Sequence, residues 1–567
     1  MTRILISLTV AFTAVPDTTA QDAPGRLTVM QSGANELLRD LEHILKLTDG
    51  EEQKQWKVIK EYFDEVFLMG VDPTKPIRMD LIFEPGAYRY LPSFPVKKNI
   101  GEFRRNLDSF NVMNRRIRVK GAPKGRLYYR LSNDFEGYMM AMALDADTRY
   151  ASIAEKKTDL PFKFEDPRND LKLLLDRKYD AAIELVNPPD NPGGDVQLRR
   201  DAFMHFREDK LKNMKKLEEE TEEDFEIRTL FTKHQMDEAE RFYAESAHAV
   251  LGWKGLFGKD ETKNGRIELE LSALEGTELD EGIRELATTP SRFANVPKSE
   301  KPILSGRLQF PLDELRQTNF LEMATLLRSR AEKEIDASEN RTDEQKAAGK
   351  QISALVFEII QQGIKTGMLD GFIEAHANES GHKTLVGGVR AADGEAARAV
   401  LELLPQTKAG RTVEMDADEK GDVKIHKVTF AEGDLDDYKA FFGDDLTVFV
   451  GTSPDTMWLA GGENALSELK TAIEQASTPG EPSADGTFAD LYAQIGPWIE
   501  LWSKRRGDKG HVKIRQFALD AFKLGEDVLT VNLRQSDGKV TGEMVVQPGI
   551  LRFAGKLIAD FSKENLE

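Results

Sequence analysis

The sequence predicts an α+β protein made of two divergent copies of an antiparallel-sheet-plus-helices unit, with a long helical insertion in the first copy. Three observations predict this. A hairpin pattern occurs twice, at Asn114–Leu131 (NRRIRVKGAPKGRLYYRL) and Gly410–Lys427 (GRTVEMDADEKGDVKIHK). At an offset of 296 the two align without a gap, placing Arg115, Lys124 and Gly125 on Arg411, Lys420 and Gly421. Apolar residues alternate on both arms, Ile117 with Val413, Val119 with Met415, Leu127 with Val423 and Tyr129 with Ile425. Alternation on either side of a glycine turn is the pattern of paired strands with one buried face.

The second observation is that nearly the same offset recurs along the chain. Glu52-Gln53-Lys54 returns as Glu344-Gln345-Lys346 at 292, and Leu91, Arg104 and Leu107 fall on Leu385, Arg398 and Leu401 at 294. Asn169, Leu171 and Leu174 fall on Asn464, Leu466 and Leu469 at 295. The third is that the offset then drops to 273, where Asn264-Gly265 meets Asp537-Gly538. The first copy therefore carries extra residues, assigned to Asp195–Leu251, where Leu198, Phe206, Leu211, Phe225 and Phe242 recur mostly at helical steps. Only Pro497–Lys504 stands opposite that stretch in the second copy.

In chain order, Asn35–Leu47 and Glu51–Met69 read as amphipathic helices, the latter answered by Asp343–Gly363. Hairpins follow at Ile77–Phe94 and Leu369–Gly388. Helices with N-caps at Asn99 and Asp393 precede the repeated hairpin, because a short polar side chain can accept an orphan backbone N–H. Two strands come next in each half, near Gly137–Ala154 and Leu446–Leu459, then a helix with Asn464 as the second copy's N-cap. Asn-Gly and Asp-Gly then mark two-residue hairpins near the end of each half. The expected domains are 26–297 and 301–567, divided at NVPKSEKP, with the second opening on a strand at Ile303–Phe310 and a helix at Leu312–Ile335.

Composition limits the function. At 567 residues and 40% apolar the chain is long enough for more than one core. Its charge of −20 disfavours a nucleic-acid partner, which needs a concentrated basic footprint. The local cluster of Arg104, Arg105, Arg115, Arg116, Arg118 and Lys120 reads instead as a solvated strand edge. Residues 1–20 read as a signal peptide: Arg3, an apolar run over Ile4–Val15, then Thr18-Thr19-Ala20. That run is too short to span a bilayer, and no later stretch is apolar enough. The expected location is periplasmic or secreted, with the mature chain soluble. With no cysteine, disulfides and thiolate chemistry are excluded.

The stretch Arg266–Val296, RIELELSALEGTELDEGIRELATTPSRFANV, resembles a segment of exported bacterial proteins of unknown activity. The glycine turn after a strand and the Pro-Ser-Arg-Phe after a helix carry the resemblance. It implies export and brings no catalytic residues.

Chemistry is sparsely marked. His376 and His382 flank a turn, with Glu374 and Glu379 near and His426 on the repeated hairpin, a set able to share a Zn²⁺ across strands. DADEKGD over Asp416–Asp422 fails as a calcium loop, since Lys420 and Lys427 stand where oxygen ligands belong. Ser467-x-x-Lys470, Ser338-x-Asn340 and Lys365-Thr366-Gly367 echo the β-lactamase motifs in the wrong order. Gly387-Gly388 and Gly461-Gly462 read as turns, and Gly451-x-Ser453-x-Asp455 lacks the second glycine of a nucleophile elbow. Trp498 and Trp502, four apart, offer a sugar platform or core packing. Lys210, Lys216, Glu219 and Glu223 mark the charged face of the helical insertion as a partner surface.

The leading expectation is an exported binding or scaffolding protein of the cell envelope, without catalytic activity or cofactor. Its partner would be an envelope protein or polymer. The alternatives are a metal-dependent hydrolase centred on His376 and His382, and a carrier of an apolar ligand.

Overall fold

The short apolar run that follows Gly25 is a strand, and around it the first sheet is built. The structure, a computed structural model, describes residues 26–566 apart from 110–111, 121–123, 134–137, 146–147, 155–159, 161–171, 188–195, 218–219, 256–262, 379, 409–410, 431–435, 444–445, 479 and 504–511. The expected signal peptide and Glu219 therefore lie outside the described residues. Contacts divide the chain into two units. The first holds residues up to Asn213, Met236–Leu279 and Val545–Glu567; the second holds Met214–Gln235 and Asp280–Met544.

In the first unit β1 (Arg26–Gln31) leads to helices α1 (Ala34–Lys46) and α2 (Gly50–Tyr62), the latter prolonged by a π turn over Phe63–Phe67. The expected hairpin is β2 (Ile77–Glu84) with β3 (Ala87–Pro95), followed by α3 (Ile100–Ser109). The repeated hairpin is β4 (Met113–Ile117) with β5 (Arg126–Asn133), and β6 (Tyr138–Asp145), β7 (Tyr150–Ala154), α4 (Lys172–Arg177) and β8 (Ala181–Val186) follow. Helices α5 (Val196–Lys212) and α6 (Glu222–Glu245) connect β8 to β9 (Ser246–Lys254), which pairs with β10 (Gly265–Ala273). All these pairings are antiparallel, in the order β10-β9-β8-β1-β2-β3-β7-β6-β5-β4.

Apolar alternation explains how this sheet is covered. Phe83 of β2 meets Phe203 of α5 and Tyr243 of α6 at ring distances of 5.0 and 4.6 Å. Leu38 of α1, Phe103 of α3, Tyr129 and Leu131 of β5 and Met142 of β6 form another buried cluster. The C-terminal helix, Pro548–Asn565, completes the unit by packing Ala559 against Leu45 and Ile59. Close approach needs Gly555, where a Cβ would lie 2.7 Å from the Ile44 carbonyl oxygen. Lys556, only 4% exposed, bonds Asp49 at 3.1 Å and Glu52 at 3.0 Å.

The second unit begins within α7 (Glu278–Glu285) and continues with β11 (Pro302–Pro311), α8 (Glu314–Ala337), α9 (Asp343–Lys365), β12 (Met368–Ala377) and β13 (Lys383–Arg390). Next come α10 (Ala397–Leu403), β14 (Thr412–Lys420), β15 (Val423–Thr429), α11 (Asp436–Phe442), β16 (Val448–Thr452), β17 (Thr456–Gly462) and α12 (Ala465–Ala476). The unit ends with β18 (Thr487–Gln494), α13 (Ile495–Ser503), α14 (Val512–Phe522), β19 (Val528–Ser536) and β20 (Lys539–Val546). Its antiparallel order is β20-β19-β18-β11-β12-β13-β17-β16-β15-β14, which is the order of the first sheet strand for strand. Mixed helices and antiparallel sheet thus agree with the expected α+β class. Among the described residues no helix is long and apolar enough to cross a membrane.

Several expectations shift in detail. The helices before β9 stop at Glu245, because Val250 and Leu251 belong to a strand rather than to a helical face. Two helices, α13 and α14, answer them in the second unit, where Ile514, Phe517, Ala518 and Ala521 continue the three- and four-residue steps. Asn264-Gly265 is not a two-residue turn, since Arg266 pairs with Lys254. Asp537-Gly538 is one, with φ of 52° and 72°. Asn99 and Asp393 cap as expected, through the N–H groups of Gly101 and Glu395. Asn464 instead takes a left-handed φ of 66° and makes no side-chain cap.

The gapless alignment of the hairpins also fails in register. Ile117 faces Tyr128, whereas Val413 faces Val428 rather than Lys424. The cause is the place of the turn: Lys420 pairs with Val423, so the second hairpin turns three residues later than the Ile117–Tyr128 pairing gives at the same offset, and a bulge between Glu414 and Asp418, at whose centre Asp416 has φ 51°, removes part of that difference.

Candidate functional site

The three histidines expected to share a metal do not converge. His376, on β12, has its Nε2 3.8 Å from Glu468 Oε1 on α12. His382 places Nδ1 3.1 Å from Glu463 Oε2, beside the Ser380 hydroxyl at 3.3 Å. His426 is fully buried, accepting the Asp416 backbone N–H at Nδ1 (3.0 Å) and facing Thr452 Oγ1 from Nε2 (3.0 Å). Among the described residues no group of three or more His, Asp and Glu is placed to hold a metal ion.

Two of these sites resemble hydrolase relays until the proton positions are assigned. At Ser380–His382–Glu463, both hydroxyl and carboxylate meet the same nitrogen, so the ring cannot pass a proton from one to the other. Asn378 Nδ2 (2.6 Å) and Ser380 Oγ (2.9 Å) also donate to Glu463, and these three side-chain donors, His382 foremost, hold its carboxyl below the ordinary glutamate value. The cluster closes the β12–β13 turn. At Asp416–His426–Thr452, the backbone N–H must find a lone pair on Nδ1, so the proton of the neutral ring sits on Nε2 and is donated to Thr452. A base that activates a hydroxyl needs the opposite tautomer. Burial, with a smaller push from Arg398, lowers the His426 pKa and favours this neutral form.

Other marked residues are similarly committed. Ser467 donates to the Asn464 carbonyl and Lys470 pairs with Asp418 at 2.6 Å. Ser453 is buried in the β16–β17 turn, 2.6 Å from Thr456 Oγ1. Trp498 packs 5.3 Å from Phe441, and Arg515 stacks 4.7 Å over Trp502, so neither indole is a bare platform. In the helical pair, Lys210 lies over Phe206, Lys216 pairs with Glu222 at 2.7 Å, and Glu223 pairs with Lys333 of α8 at 3.1 Å. An open cleft of about 490 Å³ lies at the start of α12, lined by Lys427, Phe449, Ser467 and Lys470 among others.

The most developed polar arrangement is one that sequence reasoning missed, and it occurs in both units. Thr28 of β1 donates to Asp80 of β2 at 2.9 Å, directly across the strand pair. Two nitrogens of Arg26 bond the same carboxylate at 2.9 Å each, and Arg78 Nε bonds it at 3.0 Å. In the second unit Ser305 of β11 donates to Glu374 of β12 at 2.7 Å, again directly across. Arg307 adds a bond to Glu374 at 3.2 Å and another to the Phe293 carbonyl at 3.0 Å. That second bond helps seat the Pro-Ser-Arg-Phe segment, whose Ser291 hydroxyl and Arg292 N–H both donate to buried Asp370. Phe293 then sits between Phe372 and Trp458. No single sequence signal marks these nodes; the available clue was charge at strand positions flanked by apolar residues.

Compared with protein-family models, curated proteins and solved structures, the chain shows no match.

Proposed function

We propose that the chain is an exported binding or scaffolding protein of the cell envelope, without catalytic activity, built from two divergent copies of one α+β unit. The shared strand order and the near-constant sequence offset support the duplication. The layout of residues 1–20 and the resemblance over Arg266–Val296 support export.

One observation carries the binding role. In the second unit Leu217, in the connection before α6, and Phe231, Phe320 and Ile360, on helices, stand 63, 53, 44 and 43% exposed. Large apolar side chains left in water favour a partner that covers them. Ion pairs tie α6 to α8: Asp224 with Arg330 at 2.7 Å, Glu223 with Lys333, and Lys233 with Glu322 at 2.8 Å. The charged residues thus organise the surface, and the apolar ones supply contact area.

A photoreactive amino acid placed at 231 or 320 in intact cells tests this reading. It should give one reproducible adduct in the envelope fraction, absent when the probe sits at exposed Asp537. Adducts indistinguishable from that control, or a protein confined to the cytosolic fraction, would reject it.

A further inference from the structure

The outermost strands β4 and β14 carry opposite charge. Among the described residues β4 pairs only with β5, and β14 only with β15. Each therefore presents a row of backbone N–H and C=O groups along its outer edge, the arrangement to which another strand can add. The stretch Met113–Lys120 carries Arg115, Arg116, Arg118 and Lys120 and no acidic residue. All four are exposed, and among the described residues none makes an ion pair or a side-chain hydrogen bond. The stretch Thr412–Asp422 carries Glu414, Asp416, Asp418, Glu419 and Asp422 against the single cation Lys420. Asp416, Asp418 and Glu419 are already paired with Arg398, Lys470 and Lys424. Glu414 and Asp422 are exposed and have no such pair among the described residues.

We propose that the chain assembles head to tail, the basic edge β4 of one copy docking on the acidic edge β14 of a second copy. Charge decides the pairing. Two β4 edges repel, as do two β14 edges, so self-pairing of like edges is disfavoured. The unlike pair sets four cations against Glu414 and Asp422, the carboxylates of β14 and its turn that have no ion pair among the described residues. The bulge between Glu414 and Asp418 divides β14 and confines backbone pairing to short runs, which makes the charges the selecting element. Because the two surfaces differ, the contact is heterologous, and repetition yields either a closed ring or an open filament. This inference does not rest on the function proposed above.

Sedimentation velocity of the full chain over a concentration series tests it. In 50 mM NaCl the weight-average mass should rise with concentration, and 500 mM NaCl should weaken association about tenfold, as screening of exposed charges requires. A variant carrying Arg115→Glu and Arg118→Glu should remain monomeric, as should one carrying Glu414→Lys and Asp422→Lys. All four sites are exposed and without an ion pair among the described residues, so both variants should keep the wild-type melting curve. Mixing the two variants should restore assembly, because the unaltered basic β4 of one meets the unaltered acidic β14 of the other, and combining all four substitutions in one chain should restore it with the signs reversed. A monomeric wild type at every concentration, association insensitive to salt, or association lost only on changing β4 would overturn the proposal. The last outcome would point to a polyanion on the basic edge. A monomeric result would leave the photo-crosslinks at 231 and 320 untouched, so the two ideas fail separately.

Discussion

The two units share one order of strand pairing and differ in what they build around it. In the first, the helical pair between β1 and β2 is short and the pair between β8 and β9 is long. In the second the lengths are reversed: α8 and α9 have 24 and 23 residues, whereas α13 and α14 have 9 and 11. The sheet is thus the constant element, and the helical connections vary in reach. The buried nodes teach the same lesson at atomic scale. Each keeps a hydroxyl facing a carboxylate across the first two strands, yet the guanidinium arrives from Arg26, two residues before Thr28, or from Arg307, two residues after Ser305. Geometry is held in common while residue identity and spacing are not.

The sharpest way to break the comparison is to remove each carboxylate. Asp80 and Arg78 are both almost fully buried, so Asp80→Ala breaks a buried ion pair, at a cost of about 3–5 kcal/mol. Glu374→Ala should cost less, about 1.5–3 kcal/mol, because Arg307 is partly exposed and keeps the Phe293 carbonyl. Urea unfolding of the two variants gives the ranking. Equal losses, or a larger loss at Glu374, would show that the nodes do not differ as their burial indicates.

How much of this was legible depends on the range of the interaction. Elements held by local pattern were read well: the hairpin Ile77–Phe94, the helix opposite Glu51–Met69 and the strands around Leu446–Leu459 all appear in place. Register was not, because apolar alternation does not say where between two strands the turn falls, so Met415 and Val119 look equivalent in sequence although the pairing around them differs. The nodes were invisible for another reason. Thr28 and Asp80 lie 52 positions apart, and an aspartate in a strand carries no mark that it will be buried. The histidines misled because a turn brings residues near in sequence, while their rings take separate partners on α12, just after β17 and on β16.

His426 sharpens the comparison next. The sequence offset places exposed Arg130 at its position in the first unit, so the buried ring has no counterpart there. Its folded pKa lies below the ordinary value near 6.5, chiefly through burial. The unfolded chain therefore takes up the proton first as pH falls. The stabilisation is full above about pH 6.5 and is lost as pH falls through the lower folded value. His426→Gln should cost about 1–3 kcal/mol at pH 7.5 through its two buried hydrogen bonds, and the deficit should shrink towards pH 5. A deficit independent of pH in parallel urea titrations would assign the ring a packing role alone.

The smallest effect separates the two hairpin turns. In the second hairpin Lys420 pairs with Val423, which leaves Gly421 and Asp422 as a two-residue turn with Gly421 at φ 62°. Positive φ at the first central position is what a type II′ turn requires of glycine. A Cβ there would meet nothing within 4 Å, so Gly421→Ala tests backbone conformation without a clash and should cost about 1 kcal/mol. Gly125 has φ 87°, but it sits in a longer connection between Ile117 and Tyr128. A longer connection spreads a change of dihedral over more residues than a two-residue turn does, so Gly125→Ala should cost less than Gly421→Ala in the same thermal melts. The reverse ranking would mean that the longer loop is held as rigidly as the tight one, and that the hairpins differ in register without differing in stiffness.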